Sequence, residues 1–127
     1  MSSNIDLGLY EKRHTPFHQQ RVERAKAQAY DAPVTAYLSD VFITSSVAVG
    51  IVFGHKKQDD SGRFGDGHRI RTSSIQSIEK QGRFWVLTTI NSTYVIATFK
   101  REIGRASFHT FLSIVDGNYH HARARIH

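Results

Sequence analysis

From Val34 to Phe99 the chain is dominated by short runs rich in Val, Ile, Thr, Phe and Tyr, and this pattern constrains the fold more than any other feature. Such residues fit a pleated, half-buried surface. The runs predict strands near Thr35 to Leu38, Val41 to Thr44, Val47 to Phe53, Arg69 to Glu79, Phe84 to Ile90 and Thr93 to Phe99, with bends at Asp40 and Gly50. The segment Gly54 to Gly67 holds four Gly, three Asp and no aliphatic residue, which predicts a mobile loop between two antiparallel strands. Lys80 to Arg83, containing Gly82, and Asn91-Ser92 read as hairpin turns.

Helices are expected on either side of this region. Thr15 is a candidate N-cap and Pro16 suits a first helical position, so a helix is predicted from Pro16 to about Tyr30, ended by Pro33. Its apolar stripe, Phe17, Val22, Ala25 and Ala29, is thin, so it can bury only a little surface against the body or a second subunit. Ser107 reads as the N-cap of a short helix in which Phe108, Phe111, Leu112 and Val115 share a face, with Gly117 as the stop. The expected fold is therefore mostly β with flanking helices, of the α+β class: an antiparallel sheet with a barrel-like core, an N-terminal helix and a short C-terminal helix. Residues 1–33 form a helical extension in this reading, 34–117 a single β-rich ligand-binding domain, and 118–127 a basic, His-rich tail.

A chain of 127 residues supports one modest core. The formal net charge of +6 favours anionic partners such as nucleic acid, nucleotides or an acidic protein surface. With no cysteine, disulfides, thiolate catalysis and Cys-type zinc sites are all excluded. Met1 to Tyr10 lacks a basic region followed by an apolar run, and the most hydrophobic stretch, Val41 to Phe53, is interrupted by Thr44, Ser45 and Ser46. No membrane span is expected, and a cytoplasmic location is the default.

Three groups of side chains carry candidate chemistry. In a strand Arg69 and Arg71 point to one face with Ser73, and Ile70 to the other. Two guanidiniums so placed can grip a phosphate-bearing ligand, whereas a solvated polar face is the plain alternative. His68, between Gly67 and Arg69, is the histidine placed for a ligand rim. Asn91 and Tyr94 offer an amide edge and a stacking plane of the kind nucleotide sites use, although Asn91-Ser92 is also explained by a turn. Lys100, Arg101 and Arg105 cluster before the Ser107 helix, where unpaired N–H groups favour anions and basic residues do nothing for the helix dipole. A metal reading of the eight histidines fails on spacing: Pro16 makes His14 pre-helical relative to His18, and no acidic ligand keeps a zinc-like interval with them. His120 and His121 belong to the tail, and Asp59 and Asp60 to the loop. With no nucleophile triad, phosphate loop or carboxylate pair, no cofactor, metal or enzymatic activity is expected.

The run Gly67-His68-Arg69-Ile70-Arg71-Thr72-Ser73, its continuation through Ile75 and Ile78, and Thr89-x-Asn91-Ser92-x-Tyr94 together resemble a pattern in small bacteriophage proteins of the Thoeris anti-defence sponge family. The resemblance covers about residues 34–116. It implies a sheet followed by a short helix, assembly into dimers or larger oligomers, and pockets where protomers meet. It also implies sequestration, without cleavage, of a cyclic ADP-ribose-type signal or a cyclic oligonucleotide in the host cytoplasm. Arg69, Arg71, Asn91 and Tyr94 are the residues the resemblance supports, while Arg101 and Arg105 rest on local physics. The Gly54 to Gly67 loop, the N-terminal helix and the tail are not parts of that pattern. A different class of reading is a small basic nucleic-acid-binding module, or an inhibitor of a host nuclease complex. A third is a virion-associated interaction protein with the loop and tail as assembly arms.

Overall fold

The computed structural model describes residues 5–9, 15–57 and 64–118. Nine elements follow in chain order: β1 (Ile5–Leu9), α1 (Pro16–Ala27), β2 (Ala36–Thr44), β3 (Val47–Phe53), β4 (His68–Arg71), β5 (Ser77–Gln81), β6 (Phe84–Thr88), β7 (Thr93–Ile96) and α2 (Gly104–Asn118). The mostly-β, helix-flanked class holds. The strands form a mixed seven-stranded sheet in the order β1-β4-β3-β2-β7-β6-β5. Its pairs are antiparallel except for β2 with β7, which run parallel, Ala36 facing Tyr94 and Leu38 facing Ile96. No helix among the described residues is long and apolar enough to cross a membrane.

The two helices lie on opposite faces, and strand alternation decides which side chains meet which helix. On the α1 face, Val22 and Ala25 pack with Val34, Ile51, Phe53, Phe84, Val86, Val95 and Ala97. The α2 face is the larger cluster, with Leu38, Val41, Val52, Ile70, Leu87, Tyr94 and Ile96 around Phe108. The Phe108 ring meets Trp85 edge-on at 5.0 Å and Phe99 at 5.1 Å. The segment read as an N-terminal extension thus contributes an edge strand and one of the two covering helices.

Where the sequence predicts two strands, Thr35 to Leu38 and Val41 to Thr44, the chain makes one, β2, broken by a bulge between Ser39 and Phe42. Asp40 takes the left-handed conformation there, with φ 58°. The extra residue flips the strand's parity, so Leu38 on one side of it and Val41 and Ile43 on the other all reach the α2 core. Thr98 pins the bulge from beyond β7: its Oγ1 accepts the Asp40 backbone N–H at 2.8 Å and hydrogen-bonds the buried Ser39 Oγ at 2.8 Å. Thr98→Val keeps the shape but removes both of these hydrogen bonds. We expect a loss of about 1–3 kcal/mol in urea unfolding, and an unchanged midpoint would show that the bulge holds without this contact.

The predicted long strand Arg69 to Glu79 is two strands on opposite sides of the sheet's centre. Residues 72–76 carry the chain past the β2–β3 hairpin, anchored by Thr72 N to Ala48 O (2.9 Å), Ile75 N to Ser46 O (2.8 Å) and Gln76 N to Thr88 O (2.7 Å). These bonds to distant strands break what local pattern would continue. Helix α1 ends at Ala27, before Tyr30, because Gln28 turns extended and gives its side chain to the β5–β6 turn, donating to Gln81 O at 2.8 Å. The Ala25 carbonyl at this end accepts both the Gln28 backbone N–H at 3.3 Å and the Tyr30 hydroxyl at 2.7 Å. At the other helix, α2 starts at Gly104 and not after Ser107. The Ser107 hydroxyl is a bridge and not a cap: it donates to Gly104 O and accepts from the Ile43 backbone N–H. Gly117 does not stop α2, which runs to Asn118; the tail from 119 onward, His14, Asp59 and Asp60 lie outside the described residues.

A basic cleft as the candidate functional site

One face of α1 repeats at i, i+3, i+4 and i+7 as Phe17, Gln20, Arg21 and Arg24, set apart from the buried Val22 and Ala25. Opposite it runs the connection from β7 to α2, Ala97 to Arg105. Between them lies a cleft of about 550 Å³, lined by those four residues and by Ala97, Thr98, Phe99, Lys100, Arg101, Glu102 and Arg105. Five cations and two phenyl rings therefore share one cavity, with Glu102 as the acid in its lining.

Two of the guanidiniums are held in place. The Arg21 Nε donates to Ala97 O at 3.3 Å, and its guanidinium lies over the Phe84 ring, 4.8 Å from the centroid. Arg105 sits over Phe99 at 4.7 Å. Stacking of this kind fixes the plane of the fork while leaving N–H donors at its rim. Lys100 is partly engaged by Asp40 at 4.0 Å. Arg21 has its pKa pulled below the ordinary arginine value, first by burial and then by repulsion from Arg24, Arg83 and Arg105. It stays charged, so the shift records a cost, first of burying the guanidinium and then of gathering like charges in one cleft. Glu102 adds a second cost, since it adopts φ 70°, a conformation that side-chain-bearing residues avoid.

The sequence-predicted site residues separate into three groups. Arg101 and Arg105 line the cleft and are exposed. Arg69 and Arg71 do point to one face, with Ile70 buried on the other, but they stand on β4 beyond the α1-covered strands and do not line the cleft. The Arg69 guanidinium lies 5.8 Å from the Phe42 ring. Ser73 follows in the crossover, its Oγ buried. The other three residues lie apart from the cleft. Tyr94 is fully buried against the α2 core, so its ring is no stacking plane for a ligand. His68 does not line the cleft; its Nδ1 bonds the Asp6 carboxylate at 2.9 Å and ties β4 to β1. Asn91 is exposed in the β6–β7 turn, closed by Thr89 N to Ser92 O at 2.9 Å, away from the cleft lining.

Arg21 and Arg24 stand outside the sequence-predicted set, in which α1 contributes only its apolar stripe. Their signal was legible as a basic face at helical spacing beside an exposed Phe17. Among the described residues no group of three or more His, Cys, Asp or Glu could hold a metal ion. Set against known proteins, the chain matches no family model, no curated protein and no solved structure.

Proposed function

We propose that this chain binds, without turning it over, a small phosphate-bearing ligand of the nucleotide class in the cleft between α1 and the β7–α2 connection. The observation that carries the reading is the convergence of Arg21, Arg24, Lys100, Arg101 and Arg105 on one cavity with two phenyl rings. Its volume of about 550 Å³ falls within the roughly 300–1,000 Å³ of small-molecule sites. The guanidiniums would take phosphate oxygens, and Phe17, 61% exposed, would take a flat apolar part of the ligand. Together with the resemblance to anti-defence sponges, this favours sequestration of a cyclic nucleotide immune signal, a cyclic ADP-ribose isomer or a cyclic oligonucleotide. Assembly into oligomers belongs to the same proposal.

Calorimetric titration with cyclic ADP-ribose isomers, cyclic dinucleotides, AMP and adenosine tests it. The phosphorylated compounds should bind and adenosine should be weaker by at least about tenfold, the loss of one charge-assisted contact. No binding by any phosphorylated compound would end this reading. Tight binding of single-stranded oligonucleotides that weakens steeply between low and high salt would instead make the cleft part of a nucleic-acid track.

A further inference from the structure

The described ends of the β3–β4 connection, residues 54–57 and 64–67, meet the edge strand β1 around one buried histidine. His55 is 2% exposed, and its ring stacks on Phe64 with centroids 4.5 Å apart and planes 12° from parallel. Its Nδ1 accepts the Lys57 backbone N–H at 3.0 Å. The ring is therefore neutral with its proton on Nε2, an atom that is buried and has no hydrogen-bond partner among the described residues. Phe64, held at φ 58°, donates its backbone N–H to Asp6 Oδ2 at 2.6 Å, and the same carboxylate takes His68 Nδ1 at 2.9 Å. So β1 is tied to the sheet by its ladder with β4 and by Asp6, while Ile5 and Leu7 remain 40% and 51% exposed.

We propose that His55 is an acid-sensitive latch whose protonation frees Phe64 and releases β1 from β4, uncovering the sheet edge His68–Arg71. A second proton has to go on Nδ1, where it would face the Lys57 N–H donor to donor, so the charged ring loses its hydrogen bond and gains no other. The groups facing the ring set the balance. Burial opposes the charge first and Lys57 next, whereas Asp6 favours it but is already engaged by His68 and Phe64. Together these hold the His55 pKa below that of a free histidine. The sign follows from linkage: the open form, titrating near about 6.5, binds the proton more readily than the closed one. Above that value the latch is unaffected, and as pH falls below it the open population rises, until the closed form is itself protonated.

Hydrogen exchange measured between about pH 5 and about pH 8 and corrected for the intrinsic rate tests this, with opening in β1 and residues 64–71 expected to rise up to about tenfold per pH unit below about 6.5. Exchange in β6 and β7 should not follow. His55→Phe keeps a stacking ring that cannot be protonated, and its β1 exchange should be independent of pH; His68→Gln should retain the slope of the parent. A flat profile in the parent, a slope that survives His55→Phe, or one that disappears with His68→Gln overturns the latch. Should His55→Phe not fold, the nitrogen chemical shifts of the parent's imidazoles decide: His55 is expected as the Nε2–H tautomer titrating below a free histidine, and an ordinary titration overturns the proposal.

Discussion

Arg24→Ala combined with Arg105→Ala should weaken binding of a phosphorylated ligand by about a hundredfold or more, since each charge-assisted contact contributes about 1.5–3 kcal/mol. The same double variant should leave the unliganded protein about as stable as the parent. Both side chains are exposed. Both also repel Arg21, whose lowered pKa registers that repulsion after burial. Arg105 gives up its stacking on Phe99, of order 0.5–1 kcal/mol at an exposed site, and relief of repulsion offsets part of that. The contrast distinguishes a binding cluster from a structural one, because a structural cluster loses stability and leaves affinity alone. Calorimetry with one phosphorylated ligand and a urea titration of the free protein read the two quantities. The residues are neighbours across one cleft, so the double loss need not equal the sum of the single ones.

Gly104→Ala should destabilise the protein by about 3 kcal/mol or more, at the upper end of overpacking costs. Helix propensity alone predicts the opposite sign, since alanine is favoured over glycine by about 1 kcal/mol within a helix. The tertiary contact decides. A Cβ at Gly104 would lie 2.4 Å from the Val41 carbonyl oxygen, 3.0 Å from the Phe99 Cβ and 3.1 Å from its carbonyl carbon. That oxygen is fixed by the Lys100 backbone N–H at 2.9 Å, so the obstacle is backbone and cannot rotate away. Relief requires α2 to withdraw from β2, which moves Lys100, Arg101 and Arg105 with it. Urea unfolding should therefore register the loss of stability, and titration at temperatures where the variant remains folded should register weaker ligand binding. A variant as stable as the parent would show that α2 is not seated so closely on the bulge.

The proposed latch at His55 and the proposed cleft are separate features. The cleft is built from α1 and the β7–α2 connection, while the latch joins β1 to the ends of the β3–β4 connection. Acid release of β1 should accordingly leave the cleft's own residues in place.

Much of the sheet was legible because strands rich in β-branched and aromatic residues announce themselves within a few residues. The run Val47 to Phe53 coincides with β3, and Pro16 with its Thr15 cap sets the start of α1. Strand parity was equally local: Arg69 and Arg71 face away from Ile70 because alternation is a property of one strand. Which face a helix covers is not local. Tyr94 reads the same whether presented or buried, and only Phe108 and its neighbours, arriving from α2, place it in the core.

By itself, then, the sequence determined the β-rich class, the two helices and the basic character of the segment before α2, since each follows from residues close together in the chain. Tertiary structure alone decided that residues 72–76 cross between strands, that β2 and β7 run parallel, and that Arg21 and Arg24 meet Lys100, Arg101 and Arg105. The physical reason is common to all three: each depends on hydrogen bonds or charges brought together from distant parts of the chain, and no local propensity encodes such a meeting.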